Sequence, residues 1–158
     1  MCDQTTHHDR LTPVGSPKRS NSIIYLLDTN ICIAALKGDR RVIAKLTQNV
    51  GRIHLGMLVV AELQFGIEKL ALSNESRATD KRSSLQRFID TTDGIVELSS
   101  NVIPIYAQIR ANLDALGIPI GAHDLWIAAQ AIYEGATLVS ANTREFERIP
   151  QLRLQNWL

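Results

Sequence analysis

Disulfide chemistry has little material to work with here. Only two of 158 residues are cysteines, Cys2 in a polar tail and Cys32 inside an apolar stretch, so a secreted disulfide framework is not expected and a reducing compartment fits. Long hydrophobic runs are missing too. No stretch approaches the roughly 18 apolar residues of a membrane helix, and the N-terminus lacks the apolar core of a signal peptide; a soluble, cytoplasmic protein without a membrane partner is expected. An excess of either charge is also absent. Lys plus Arg number 17 against 16 Asp plus Glu, a net charge of +1, so any nucleic-acid partner must be met by local rather than global charge. What is present is ordinary globular material, 45% hydrophobic and 21% charged, at a length that suits one domain able to fold without staples.

Residues 1–22 are rich in Thr, Ser, His and Pro and show no apolar periodicity. They are expected to form a flexible extension, with residues 23–158 as the folded domain. His7, His8 and Asp9 in that tail are read as solvated polar residues rather than a metal site, because a floppy segment fixes no coordination geometry.

The folded part alternates strand and helix patterns. Apolar residues 23–27 have the look of a strand buried on both faces. Short strands are also expected at residues 53–55, 95–98, 137–140 and 152–154. Between them, helices are expected over residues 31–36, after an Asp39 cap, through Val59, Leu63, Ile67 and Leu70, through Val102, Ile105, Ile109, Leu113 and Leu116, and from Asp124 to Gly135. Residues 74–80 are polar, and Leu85, Phe88 and Ile89 then suggest a mostly exposed helical arm. Such alternation predicts an α/β fold with a mainly parallel sheet of four or five strands flanked by helices, because parallel neighbours need crossover connections.

In open parallel sheets, sites form beyond the carboxyl ends of the strands. Asp28 follows the first strand, Glu62 lies early in the helix after the second, Asp124 starts the helix before the fourth, and Asn142 and Glu145 follow the fourth. Glu62 sits among Val59, Val60, Ala61, Leu63 and Phe65, which suggests an inserted, constrained carboxylate. Taken singly, Asp28 and Asp124 read equally well as helix caps. Taken together, the acids converge on one rim, where unpaired carboxylates would repel one another strongly. No Lys or Arg cluster accompanies them in sequence, so a hard divalent cation, Mg²⁺ or Mn²⁺, is the natural counter-charge.

These residues carry a resemblance. Tyr25-Leu26-Leu27-Asp28-Thr29-Asn30, Ala61-Glu62-Leu63, Gly121-Ala122-His123-Asp124 with Trp126-Ile127-Ala128, and Asn142-Thr143-Arg144-Glu145-Phe146 resemble, in order and spacing, the motifs of PIN-domain ribonucleases, especially the VapC toxins of bacterial toxin-antitoxin systems. The resemblance implies a PIN-like fold, Mg²⁺- or Mn²⁺-dependent cleavage of RNA (a structured RNA such as tRNA), homodimerisation, and neutralisation by a VapB-type antitoxin. It also implies that Asp28, Glu62 and Asp124 hold metal and that Asn142 stands where many relatives place a fourth acid. Gly56, Met57 and Val59 replace Ser and Thr residues common in relatives, and Ser140 is a candidate to supply a hydroxyl instead.

On that basis hydrolysis by an activated water is expected, with Asp28 and Asp124 as principal ligands and Glu62 binding metal or orienting the water. Asn30 is expected to position Asp28 or a phosphate. Arg144, Arg148 and Arg153, together with Lys37, Arg40 and Arg41, are candidate backbone contacts for RNA, and Leu36, Val42 and Ile43 are candidates to line an antitoxin groove. A non-catalytic PIN-like RNA-binding or protein-interaction module is the alternative; it would need a broken acid pocket, whereas all three principal acids are present. A phosphoacceptor receiver domain fits poorly, since Leu27 precedes Asp28 where an acidic pair belongs. A structure-specific DNA nuclease usually needs more protein to grip a duplex.

Overall fold

The computed structural model describes residues 24–158. The expectations for residues 1–22, including Cys2 and the His7, His8 and Asp9 group, lie outside the described residues. Among the latter, five parallel strands form one sheet: β1 (Tyr25–Leu27), β2 (Ile53–Gly56), β3 (Ile95–Val96), β4 (Thr137–Val139) and β5 (Arg153–Gln155). Their spatial order is β3-β2-β1-β4-β5. The connecting helices are α1 (Thr29–Leu36), α2 (Arg40–Gln48), α3 (Met57–Ala71), α4 (Glu75–Asp90), α5 (Ile103–Ala115), α6 (Ala122–Tyr133) and the short α7 (Thr143–Phe146), with a 3₁₀ turn at Ser100–Val102.

Every residue of β1 is buried, which is why its sequence is continuously apolar instead of alternating. Leu27 lies opposite Leu55 of β2 and Val139 of β4. The next residue along each strand, Asp28, Gly56 and Ser140, therefore falls at one level on the carboxyl-terminal edge. From β1 the chain moves outward to β2 and β3, then returns across β1 to β4. The β1–β4 boundary is thus the topological switch point, where open α/β sheets leave a crevice.

On α3 the apolar stripe buries Val59, Leu63 and Ile67. The polar segment 74–80 is not a break before the next helix but its first turns: the Asn74 side chain accepts from the Arg77 amide at 2.9 Å, and α4 runs from Glu75. Nothing in that segment breaks a helix, since it contains neither Gly nor Pro. Ala78 and Leu85 are buried, and Arg82 ties the hairpin by donating to Glu75 at 2.6 Å and Glu68 at 3.0 Å. The arm is mostly exposed, as expected, and packs inward through Ala78 and Leu85.

Helix α6 is the central helix, with Leu125, Ile127, Ala128, Ala129, Ala131 and Tyr133 all buried. Its N-cap is Gly121, so Asp124 sits in the first turn instead of opening the helix. Gln130 is also buried, and its Nε2 donates to the carbonyls of Val96 at 3.0 Å and Glu97 at 3.2 Å. This amide takes over where the ladder stops, so β3 ends at Val96 and not at residue 98. A Cβ at Gly56 would lie 2.6 Å from Gln130 Oε1, which accounts for glycine where the family resemblance led one to expect a hydroxyl residue.

Candidate active site

Asp28 is almost fully buried and caps α1. Its Oδ1 accepts from the Thr29 amide at 2.8 Å. Its Oδ2 accepts from the Ser140 hydroxyl at 2.6 Å and from Asn30 Nδ2 at 2.9 Å. The helix cap and the site acid are thus one residue: the turn that ends β1 and starts α1 aims the carboxylate across the switch point. Asn30 clamps both sides, because its Oδ1 accepts from the Ala141 amide at 3.0 Å while its Nδ2 also reaches Ser140 Oγ at 3.2 Å. Ser140 Oγ further accepts from the Asn142 amide at 2.9 Å. A residue just after β1 and the segment just after β4 are thereby locked together, with Asp28 as the shared acceptor.

Asp124 enters from the first turn of α6, and its Oδ2 accepts from Asn142 Nδ2 at 3.2 Å. Partial burial, then the charge of Asp28, then Glu145 beside it push its carboxyl up to about 6, against a smaller opposing effect of His123. Asp28, Asp124 and Glu145 are electrostatic neighbours, and Asn142 reaches into the same group.

Glu62 takes a different place. It was expected to be inserted among apolar neighbours, but its side chain is 44% exposed, because α3 turns Val59, Leu63 and Ile67 inward and leaves Glu62 on the outer rim. There its Oε2 accepts from the Thr29 hydroxyl and stands 3.2 Å from His123 Nε2. Thr29 and His123 flank Asp28 and Asp124 in sequence, so Glu62 bridges the mouth of the cleft. Neither Thr29 nor His123 was singled out from the sequence, and no spacing rule would have found a contact over 33 or 61 positions.

Among the described residues no three His, Cys, Asp or Glu side chains close into a metal-binding group. The inner pair still suits a hard cation. Its donors are carboxylate oxygens, the neutral amide of Asn142 lies alongside, and no Lys or Arg among the described residues pairs with Asp28, Asp124 or Glu145. Burial first, and then the neighbouring charges of Asp28 and Glu145, raise the proton affinity of Asp124, and a cation placed between the acids would oppose that second contribution.

The remaining candidates are dispersed. Ser140 is fully buried and spends its hydroxyl on Asp28, so it orients that acid and offers no hydroxyl to a substrate. Arg144 is exposed next to Asn142, and Arg153 is exposed on β5. Arg148 donates to the Pro119 carbonyl at 3.1 Å, and Arg41 faces Asp39 at 3.7 Å; Lys37 and Arg40 are exposed. Val42 is fully buried, which removes it from any groove, and Ile43 lies in a separate hollow with Leu46, Val50 and Phe88. Leu36, by contrast, lines an apolar groove of about 390 Å³ between α1, α3 and α4, together with Ile33, Phe65, Ile67, Leu85 and, at one end, Thr29 and Glu62. Cys32 is sealed beneath α1, where burial and the charge of Asp28 push its thiol far up, leaving it inert.

Comparison with known proteins bears on the fold and the family. The PIN domain family matches residues 25–152. Ribonuclease VapC2 of Rickettsia felis is 36% identical over 142 residues, covering 85% of this chain and 98% of the relative. The tRNA(fMet)-specific endonuclease VapC of Shigella flexneri is 32% identical over 134 residues, covering 84% and 97%. Among solved structures, VapBC2 from Rickettsia felis bound to a promoter DNA fragment superposes with a TM-score of 0.78 at 37% identity, over 86% of this chain and 100% of that one.

Proposed function

The chain belongs to the PIN-domain family, and we propose that it is an endoribonuclease of the VapC kind, the toxin of a pair whose other member is a VapB-type antitoxin. The observation that carries this reading is the uncompensated pair of Asp28 and Asp124 at the switch point, with Asp124 pushed up to about 6. A pocket that only bound RNA would have no use for two carboxylates facing a polyanion. Asp28 and Asp124 would hold Mg²⁺ or Mn²⁺, with Asn142, Glu145 and Glu62 around them. Bound there, the ion supplies counter-charge and Lewis acidity for hydrolysis of a phosphodiester.

The chain's own residues do the rest. Ser140 and Asn30 fix the Asp28 carboxylate in one orientation, so little rearrangement is needed when charge develops at the phosphate. Asn142 does the same for Asp124 with a neutral donor. Glu62, held at the rim by Thr29 and His123, is placed to accept a proton from an attacking water. Arg144, exposed two positions after Asn142, is the nearest candidate in sequence for a phosphate contact. The substrate class is a structured RNA such as tRNA, and the working form is a cytoplasmic homodimer.

The antitoxin is assigned to the groove between α1, α3 and α4. Its walls are apolar and its inner end is formed by Thr29 and Glu62, so a chain seated there can lay apolar side chains along it and extend a basic one toward the acids.

The test is cleavage of RNA by purified protein with Mn²⁺ or with chelator, comparing wild type with Asp28→Ala and Asp124→Ala. Cleavage by the wild type alone, abolished by chelator, is expected. Equal cleavage by all three proteins would identify a contaminating nuclease and remove the assignment.

A further inference from the structure

Glu62 is unusual for a half-exposed glutamate on a helix surface. Such a side chain ordinarily samples many rotamers, but here a single oxygen, Oε2, is held from two sides by residues on two other elements. A carboxylate only accepts hydrogen bonds, so Nε2 of His123 must carry the proton in this contact. Both contacts fall on Oε2, which leaves Oε1 without a hydrogen-bond partner among the described residues. His123 precedes Asp124, and Thr29 follows Asp28. The clamp is therefore built on the same two turns that deliver the inner acids, and its geometry is set by theirs.

We propose that His123 is a positioning residue for RNA cleavage: with the Thr29 hydroxyl it clamps Glu62 Oε2, so that Oε1 is the oxygen presented to the water attacking the phosphate. This rests on the nuclease reading above. In this arrangement Glu62 is an outer carboxylate that aligns the nucleophile, and His123 acts only through it. The only hydrogen bond of the imidazole among the described residues is to Glu62, and none runs to the inner acids. Its removal frees Glu62 to rotate into solvent, and the water loses its alignment while RNA binding is left nearly intact.

The experiment is a double-mutant cycle on the full chain with Mn²⁺ and unfractionated tRNA as substrate, using His123→Ala, Glu62→Ala and the double variant, with Asp28→Ala as the background control. His123→Ala is expected to lower kcat about 10- to 100-fold with KM within about two-fold, and adding it to Glu62→Ala is expected to lower kcat no further. His123→Gln, which keeps an N–H donor, should recover most of the loss. An activity-free readout is the imidazole ¹⁵N spectrum of the metal-free protein: one Nε2–H tautomer in the wild type, and a tautomer mixture in Glu62→Ala. Full additivity of the two losses, or the same tautomer mixture in both proteins, overturns the proposal while leaving the nuclease assignment in place. Wild-type cleavage no greater than that of Asp28→Ala removes the nuclease assignment and this role together.

Discussion

Asp124 has Asp28 and Glu145 as electrostatic neighbours and no lysine or arginine partner among the described residues. Its carboxyl is pushed up to about 6 in the folded chain, against 3.8 ordinarily, so the folded state holds that proton more tightly than the unfolded one. The stability tied to this proton is present below the unfolded value and is lost as pH rises through the folded one. Metal-free protein is therefore expected to lose thermal stability between about pH 4 and pH 6 through this group. Asp124→Asn should flatten that slope and melt higher than wild type at pH 7 in chelator. Calorimetric melts of both proteins across this range check it, and parallel curves would show that Asp124 titrates normally. The inner acids were legible in the sequence because strand ends are legible, and a polar residue directly after an apolar strand has few other places to go. Their partners were not. Ser140 was read as a spare hydroxyl, yet it is buried and committed to Asp28 across 112 positions, a contact that exists only once β1 and β4 are neighbours. Glu62 is held in place as expected but is not inserted: of its apolar neighbours in sequence Val59 and Leu63 turn inward, whereas Ala61 and Phe65 stay exposed with it.

At the scale of elements, the parallel α/β plan followed directly from alternating apolar strands and amphipathic helices, and each expected strand is present within a few residues. The ends that moved did so where side chains replace backbone partners. Gln130 of α6 bonds the carbonyls of Val96 and Glu97 and so stops β3, and the Asn74 cap starts α4 early. Gly56 belongs with the first case, since its backbone approaches Gln130 more closely than any Cβ allows. A glutamine tip is flexible, but this one is buried and anchored at both carbonyls, so moving it exposes or unpairs those groups. Gly56→Ala is expected to destabilise the fold by about 1–3 kcal/mol, read as a lowered urea midpoint with an unchanged slope. A midpoint equal to that of the wild type would mean that Gln130 can step aside without loss, and that glycine has no packing reason at this position.

At the scale of the molecule, two surfaces meet at Glu62 and Thr29: the acid cleft and the apolar groove between α1, α3 and α4. The expectation that Leu36 faces a partner agrees with its place in the groove, whereas Val42 is core and Ile43 belongs to another hollow. Hydrophobic periodicity alone does not separate these, because a side chain that packs inward and one that awaits a partner obey the same 3.6-residue spacing. Exposure separates Val42, which is fully buried, from the groove, where Ile33 and Phe65 remain 40% and 67% exposed in the isolated chain; Ile43 is exposed too and is set apart only by lining the other hollow. Because the groove ends on two residues of the site, a partner filling it also covers the cleft, and inhibition requires no conformational change. Ile33→Glu places a charge on the apolar floor of the groove, so it opposes the apolar contacts a partner makes there. It is expected to weaken binding of the purified cognate antitoxin at least about 10-fold by isothermal titration, a loss of about 1.4 kcal/mol or more. Unchanged affinity would move the antitoxin off this groove and leave the exposure of Ile33 and Phe65 to be covered by something else.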